Sequence, residues 1–189
     1  TASNLGTDAY VLSTSQSING SPKNFSTEII QTRMSIPSDS LLYTPAIATP
    51  QNIAFLVYMG VDLFDTTSAV LLGLQGHYLL STGHYPIDSM TDLPCPCPIC
   101  SSHPTGLTNL ACAEHNINTL KSELNLVKNH IKSNTLREYL EGQIRHSTWL
   151  TAAFRYVDSD HLYLEQRTPI SRRTNFISTT DDSMNRVEV

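Results

Sequence analysis

Residues 41–65 read LLYTPAIATPQNIAFLVYMGVDLFD, in which two short apolar runs flank a helix signal. The runs at 41–44 and 61–64 are typical of buried strands. Between them, Thr49 is a predicted helix N-cap, because Pro50 follows at the first helical position and apolar residues continue beyond it. A strand, a helix and a strand with short connections predict two parallel strands joined by a right-handed crossover.

The same alternation begins upstream of this stretch. Residues 8–13 form a short apolar run that predicts a further strand, and residues 23–35 predict a helix with Phe25, Ile29 and Ile30 on one face. The chain therefore falls in the α/β class, as either a doubly wound sheet or a part of a (β/α)8 barrel. A G-x-G-x-x-G motif follows none of the three strands, which disfavours dinucleotide binding.

The second half of the chain predicts mostly helices. We expect a short helix near 67–74 and a hairpin near 77–86. Apolar residues then recur in steps of three and four along one long helix, and a second helix is predicted over 135–157. Together these two helices predict an antiparallel helical hairpin. The predicted domain boundaries are 1–75 for the strand unit, and 76–189 for a unit made of a loop, a cysteine knuckle and the helical hairpin.

The cysteine knuckle is the run LPCPCPIC at 93–100, which holds three of the four cysteines of the chain. Thiolates this close cannot all pair as disulfides, whereas a tetrahedral Zn²⁺ takes soft sulfur ligands plus one imidazole. Spacing ranks His115 first as the fourth ligand, then Cys112, then His103. A site with four protein ligands is closed and therefore structural, and it would fasten the helical hairpin to the strand unit.

Composition narrows the class of protein. Of the 189 residues 40% are hydrophobic and 15% charged, and no apolar run is long enough to span a membrane. Clustered cysteines without a disulfide framework predict a cytoplasmic protein. The sequence starts without Met, and we expect it to be a piece of a longer protein.

The net charge of −5 argues against a generic nucleic-acid binder. The stretch 121–173 nevertheless carries an excess of Lys and Arg over Asp and Glu. Such an excess is typical of a surface that faces phosphates, and equally of a solvated helix face.

Asp65 is the candidate for catalysis. It ends the strand signal at 61–64, and the ends of parallel strands are where barrel and open α/β enzymes place catalytic groups. With side chains alternating along a strand, Asp65 lies on the opposite side from Asp62 and could serve as a carboxylate nucleophile or base. The alternative is that Asp65 caps the following helix, and the residues alone favour this cap.

Three features together carry a resemblance: Asp62-Leu63-Phe64-Asp65, the Cys-x-Cys-x₂-Cys spacing at 95–100, and His115-Asn116 at a helix start. This set resembles the tRNA-guanine transglycosylase superfamily, and its archaeal branch most. The resemblance implies the C-terminal part of a (β/α)8 TIM-like barrel followed by a zinc-binding helical subdomain. It implies Asp65 as the covalent nucleophile, and a Zn²⁺ cofactor held by Cys95, Cys97, Cys100 and His115.

Further blocks resemble the archaeosine synthase branch of that superfamily, and they lie at 44–52, 56–60, 76–79, 93–97, 139–151 and 165–169. This likeness implies a tRNA-modifying domain in archaeosine (7-deazaguanine) biosynthesis that acts on the D-loop base of tRNA. Two alternatives stay open. One is an archaeal transglycosylase that exchanges guanine for 7-cyano-7-deazaguanine through a covalent Asp intermediate, and the other is a non-catalytic tRNA-binding scaffold.

The superfamily's upstream Asp-Ser-Gly-Gly motif and Gly-Gly substrate loop do not occur in these residues, which argues against base exchange by this stretch alone. The resemblance implies tRNA as partner, a homodimer, and two further modules in the same protein, an N-terminal barrel half and a C-terminal PUA-type module. The candidate RNA-binding residues are Lys128, Lys132, Arg172 and Arg173.

Overall fold

The computed structural model describes residues 7–13, 20–168, 178 and 180–187. Its strands are β1 (Ala9–Val11), β2 (Leu41–Tyr43), β3 (His77–Leu80) and β4 (Gly83–Pro86). Its helices are α1 (Pro22–Ser35), α2 (Ile53–Tyr58), α3 (Thr67–Leu74), α4 (Pro98–Ser102), α5 (Asn109–Lys132), α6 (Leu136–Gln143), α7 (Thr148–Asp158) and α8 (His161–Glu165). Short 3₁₀ turns cover Ile87–Ser89, Ile144–His146 and Asp181–Asn185.

The first strands are parallel, as predicted. β1 pairs with β2 so that Tyr10 lies opposite Leu42, and Tyr43 forms a parallel bridge with Leu63. The predicted strand over 61–64 is reduced to this single bridge. The reason is that the amides of Asp62 and Leu63 both donate to the carbonyl of Leu42, which ends regular pairing.

The small parallel sheet has one covered face and one open face. Leu42 is fully buried in the main core, on the side of the sheet that the helices cover. On the other side Val11 is 60% exposed, and Leu41 and Leu63 are each 42% exposed. Within the described part of the chain, this face of the sheet is apolar and open to solvent.

Helix α1 forms where the sequence predicts it. Pro22 stands at its first turn, and its buried face carries Phe25, Ile29 and Ile30. Near its end the guanidinium of Arg33 is almost fully buried and donates to three backbone carbonyls, those of Pro37, Ser38 and Ser40. These bonds fix the turn that leads the chain from α1 into β2.

Helix α2 begins later than the predicted N-cap Thr49. The side chain of Asn52 accepts from the Thr49 amide at 2.8 Å and donates to the Ile47 carbonyl at 2.9 Å. These two bonds hold residues 47–49 in a turn, so that α2 begins at Ile53.

The helix predicted over 135–157 is divided. α6 ends at Gln143, a 3₁₀ turn follows, and the extended residue Ser147 caps α7 by accepting from the Leu150 amide. α7 packs mainly on α1, whereas α5 packs mainly on α3. The second arm of the predicted antiparallel hairpin is therefore divided: α6 turns back onto α5, where the rings of His130 and Tyr139 stack with centroids 4.2 Å apart, and α7 packs elsewhere. The apolar residues from Leu140 to Val157 are buried as expected.

Helices α3 and α5 approach closely at Gly73. A Cβ atom at this position would lie 2.3 Å from the Cα of Ala113, so only glycine permits the contact.

The predicted helix 67–74 and hairpin 77–86 agree with α3 and with β3 and β4. The main core contains residues from both predicted units: Phe55 precedes residue 75 in the sequence, Phe154 follows it, and their rings lie 6.0 Å apart. The division of the chain at residue 75 stays a prediction. No helix in the described ranges is both long and apolar enough to cross a membrane.

Candidate metal centre and the Asp65 carboxylate

The three clustered cysteines and one histidine from a separate helix converge on one point. The ligand atoms of Cys95, Cys97, Cys100 and His115 all lie within 4.8 Å of one another. Cys97 stands at the N-cap of α4 and Cys100 within that helix, while His115 comes from the second turn of α5. Three thiols and one imidazole form a soft donor set whose number and type suit a tetrahedral divalent cation such as Zn²⁺.

The imidazole of His115 is oriented by its second nitrogen. Its Nδ1 lies 3.3 Å from Cys100 Sγ and 3.5 Å from Cys97 Sγ, so it points into the cluster. Its Nε2 lies 3.1 Å from the carbonyl oxygen of Leu79 and donates to it. This bond leaves the Nδ1 lone pair free to bind a cation, which is the usual arrangement at metal sites.

The two other candidates for the fourth position lie outside the cluster. Cys112 is fully buried in an apolar environment that raises the pKa of its thiol to about 11. His103 directs its Nδ1 to the carbonyl of Ile99 at 2.9 Å. Geometry thus selects His115 among the three residues that spacing left open.

Burial and hydrogen bonds act in opposite directions on the thiols of the cluster, and at Cys97 the hydrogen bonds outweigh burial and lower the pKa. At the other ligands burial dominates. It raises the pKa of the Cys100 thiol to about 12 and that of Cys95 above its usual value. It lowers the pKa of His115, so that the imidazole is neutral near pH 7. A bound cation must therefore displace protons from thiols, while the histidine is ready to bind.

Asn116, the neighbour of His115, connects the cluster to the rest of the fold. Its side chain is fully buried, accepts from the Leu79 amide, and donates to the carbonyls of Ala69 and His77. This single side chain therefore connects α5 both to α3 and to β3. In the sequence Asn116 stands out only as part of the family resemblance, because nothing local signals such long-range bonds.

The carboxylate of Asp65 is held by three donors. Its Oδ2 accepts from the Tyr43 hydroxyl at 2.7 Å and from the Ala46 amide at 2.9 Å. Its Oδ1 accepts from the amide of Thr67, at the start of α3, at 2.7 Å. Asp65 thus bonds to the first turn of α3 in the manner of a cap, and it also orders the loop after β2, where Ala46 has φ +55°.

These bonds also set the charge of Asp65. Burial alone would raise its pKa, but the bonds from Tyr43, Ala46 and Thr67 outweigh burial and hold that pKa below its usual value. The carboxylate is therefore ionised at neutral pH.

Asp62 lies on the other side of the same strand, as side-chain alternation predicts. Its Oδ2 accepts from the Leu42 amide at 2.8 Å and lies 3.4 Å from the Arg33 guanidinium. These partners belong to α1 and β2 themselves, so Asp62 supports the fold and Asp65 faces the loops at the strand ends.

A pocket of about 510 Å³ adjoins the loop that Asp65 orders. Ala46 and Ile47 from that loop, Ser68 from α3 and Trp149 from α7 are among its lining residues. Trp149 also makes an edge contact with Phe25, with ring centroids 5.0 Å apart. The indole is thus partly core, as the sequence indicates, and partly a wall of this pocket.

The predicted RNA-binding residues are only partly within the described ranges. Lys128 and Lys132 are exposed on α5. Arg172 and Arg173 lie outside the described residues.

A buried ion network is the main feature of the structure that the sequence does not predict. Arg137 is 7% exposed and bonds to Glu141 at 2.7 Å and to Asp158 at 2.5 Å. Arg186, near the end of the described chain, bonds to Glu141 at 3.0 Å, and Ser183 donates to the same carboxylate. The network attaches residues 180–187 to α6 and α7. Only the i to i+4 spacing of Arg137 and Glu141 could have indicated any part of it.

Comparison with known proteins assigns the family. The profile of the family described as Queuine tRNA-ribosyltransferase (TGT) matches residues 1–148. The chain is 40% identical over 189 residues to the archaeosine synthase of Haloferax volcanii, an alignment that covers all of this chain and 32% of the relative. It is 34% identical over 190 residues to the archaeosine synthase subunit alpha of Methanosarcina acetivorans, covering 96% of this chain and 30% of the relative.

A second group of relatives is more distant. The chain is 31% identical over 172 residues to the tRNA-guanine(15) transglycosylase of Methanocaldococcus jannaschii, covering 85% of this chain and 26% of the relative. The chain thus spans about a third or less of the length of these relatives. Since the family profile covers well over half of the sequence, the chain belongs to the Queuine tRNA-ribosyltransferase (TGT) family.

Proposed function

We propose that this chain is the transglycosylase-like domain of an archaeosine synthase-type enzyme, which modifies the D-loop base of tRNA in archaeosine (7-deazaguanine) biosynthesis. The observation that carries the proposal is the 40% identity to an archaeosine synthase across the whole chain. The lower identity to tRNA-guanine(15) transglycosylases ranks base exchange second. tRNA is the substrate in both cases.

We further propose that β1, β2 and the strand position at Leu63 are the C-terminal part of a (β/α)8 barrel, within the predicted unit 1–75. Two observations support this: the three strand positions are parallel and in chain order, and helices α1 and α2 connect them. The open face with Val11, Leu41 and Leu63 is where the interior of a complete barrel would lie. The remaining strands would come from an N-terminal barrel half of the same protein.

In this proposal Zn²⁺ is held by Cys95, Cys97, Cys100 and His115. Four protein ligands leave no open position, so the ion supplies folding free energy and takes no part in the reaction. Its position between α4 and the start of α5 suits a clamp that fastens the unit 76–189 together. The fit rests on the donor set and on the orientation of His115 Nδ1.

Asp65 is the residue that we propose for chemistry. It lies at the ends of the parallel strands, it is ionised, and Tyr43 and Ala46 hold it in one orientation. A carboxylate has about four acceptor positions, so three donors leave capacity for a substrate contact. As nucleophile it would attack the ribose carbon that carries the base and the base would leave, which is the step that the second-ranked base exchange requires.

The second candidate is a scaffold that positions tRNA without catalysis. The observation that favours it is that all three bonds to Asp65 come from the end of β2, the loop after it and the start of α3. A carboxylate used in this way would order the loop and would have no chemical role.

The substitution Asp65→Asn in the full-length protein distinguishes the two candidates. If Asp65 acts chemically, the variant loses tRNA modification while its zinc content stays equal to that of the unsubstituted protein. Asp62→Asn is the matched control, because it removes the carboxylate on the other side of the strand. Normal product formation by the Asp65→Asn protein would favour the scaffold.

Binding of tRNA is tested separately with charge reversal on α5. The double variant Lys128→Glu and Lys132→Glu should weaken tRNA binding and reduce its salt dependence, because phosphate contacts release counterions. Lys23→Glu, at an exposed lysine on α1, is the control for one charge reversal and is compared with each single α5 reversal. Equal binding by both variants would remove α5 from the proposed interface.

The proposed homodimer is tested by the molecular mass of the full-length protein in solution, and the proposed C-terminal PUA-type module by the sequence of that protein.

A further inference from the structure

Tyr78 is a fully buried residue of β3 that contacts the Cys₃His cluster without belonging to it. Its ring lies parallel to the imidazole of His115, with ring centroids 3.7 Å apart and an interplanar angle of 8°. Its hydroxyl lies 3.3 Å from Cys100 Sγ. One side chain therefore contacts two of the four candidate ligands, through two different groups.

The contact to Cys100 has a defined direction once a cation is bound. A thiolate on a metal carries no proton and can only accept, so the Tyr78 hydroxyl must donate. Such a bond stabilises the negative charge of the sulfur and fixes its direction towards the metal. Because the hydroxyl is buried, water cannot replace the phenol as donor without rearrangement of the hairpin.

Contacts from β3 also orient the second ligand, the imidazole of His115. The carbonyl of Leu79, the residue after Tyr78, accepts from His115 Nε2. Stacking fixes the plane of the imidazole, and the carbonyl bond fixes its rotation within that plane. Two adjacent residues of β3 thus aim Nδ1 at the three sulfurs.

We propose that Tyr78 is a positioning residue of the metal site, which holds Cys100 and His115 in the arrangement that a tetrahedral cation needs. The inference rests on the proposed zinc site. It also implies that cation binding and docking of the β3–β4 hairpin are coupled, since the same side chain serves both.

The alternative is that Tyr78 only fills space. It packs in a small apolar cluster with Cys112 and Cys100, and a phenylalanine would fill that cluster equally well. Tyr78→Phe therefore separates the two roles, because it removes the hydroxyl and keeps the ring. Tyr85→Phe is the matched control, since Tyr85 lies opposite Tyr78 in the hairpin and is 40% exposed.

The experiment measures Zn²⁺ affinity of the full chain by competition with a chromophoric chelator, and the absorption spectrum of the Co²⁺-substituted protein. Loss of a group that supports a metal ligand lowers affinity by about 10- to 100-fold. We expect a loss in this range for Tyr78→Phe, with a shifted thiolate-to-cobalt absorption band and one metal ion still bound. For Tyr85→Phe we expect affinity within about twofold of the unsubstituted chain and an unchanged spectrum.

The outcomes are distinguishable. If the unsubstituted chain takes up neither metal, the zinc site and the role of Tyr78 are both wrong. If it binds zinc and Tyr78→Phe binds equally well with the same cobalt spectrum, the positioning role alone is wrong. A loss of affinity with an unshifted cobalt spectrum, matched by an equal loss of stability in the metal-free chain, would also overturn it, because that result is what a space-filling role produces.

Discussion

The Tyr43 hydroxyl donates a 2.7 Å hydrogen bond to the Asp65 carboxylate. This bond joins the end of β2 to a residue two positions beyond Leu63, the third strand position. The same carboxylate accepts from the amides of Ala46 and Thr67. One side chain thus fixes two segments that would border a ligand at the strand ends. Its charge and orientation depend on a tyrosine 22 positions earlier in the chain.

Tyr43→Phe should raise the pKa of Asp65, because the hydroxyl bond favours the ionised form. A carboxyl whose pKa is depressed in the folded chain contributes stability that is present above its unfolded pKa and is lost as the pH falls through the folded value. The variant should therefore lose less stability on acidification than the unsubstituted chain. NMR titration of the Asp65 carboxyl carbon measures the pKa directly. An unchanged pKa would show that the backbone amides alone set the charge.

Cys100 and Cys112 are both buried, but only Cys100 lies in the metal cluster. Cys100→Ser should abolish tight zinc binding, whereas Cys112→Ser should keep one zinc ion and lose only packing free energy. Metal content after dialysis and thermal unfolding measure the two effects. If Cys112→Ser lost zinc as completely as Cys100→Ser, the ligand set would be wrong.

Zinc affinity should fall steeply as the medium becomes more acidic. The pKa values of Cys95 and Cys100 are raised, the latter to about 12, so both thiols must lose a proton when the cation binds. Release of at least these two protons per ion corresponds to a decrease of roughly a hundredfold or more in affinity for each pH unit below 8, and the lowered pKa of Cys97 reduces the share of the third thiol. The lowered pKa of His115 keeps the imidazole from adding to this slope near pH 7. Competition titrations at pH 6, 7 and 8 would contradict this ligand set if affinity changed by less than about tenfold per unit.

Arg137→Met should destabilise the fold strongly, because it removes the buried partner of the Asp158 carboxylate and one of the two arginines that bond to Glu141. Breaking a buried pair from one side costs about 3–5 kcal/mol. Arg155→Met is the control, since Arg155 is 59% exposed in its pair with Asp182 and should cost less than about 1 kcal/mol. Urea unfolding of both variants gives the free energies, and a cost for Arg137→Met no larger than that of the control would refute the role of the network.

The same network predicts a pH dependence. Burial would raise the pKa of Glu141, but Arg137, Ser183 and Arg186 lower it to about 2. The contribution of Glu141 to stability is therefore complete above its unfolded pKa of 4.5 and is lost as the pH falls towards 2. Urea unfolding at several pH values measures this loss of unfolding free energy, which should be smaller in the Arg137→Met chain than in the unsubstituted chain.

Gly73→Ala should separate α3 from α5, because the new Cβ would lie 2.3 Å from the Cα of Ala113. Overpacking of this kind costs about 1–3 kcal/mol. Gly142→Ala on α6 meets no atom within 4 Å and should stabilise its helix by about 0.5–1 kcal/mol. Opposite signs of the two changes in unfolding free energy are the expected result, and a neutral Gly73→Ala would show that the helices can shift without cost.

Local signals were sufficient for much of the fold. The apolar period predicts α1, α3 and α5, and the glycines around residues 76 and 83 predict the β3–β4 hairpin at the positions observed. These elements depend on residues within a few turns of one another, so the sequence alone determines them. The clustered cysteines and the Asp65 position are likewise visible in sequence, as is the family resemblance that the comparisons confirm.

Tertiary structure decided the rest, because the deciding contacts join distant residues. His115 and Cys112 are both on the first turns of α5, and only the rotation of that helix against the cysteine knuckle brings His115 into the cluster. The third strand shrinks to one bridge because a carbonyl of β2 takes both amides. Tyr78 reaches Cys100 across 22 residues, Asn116 reaches Ala69 across 47, and Arg186 reaches Glu141 across 45, and no periodicity carries information over such separations.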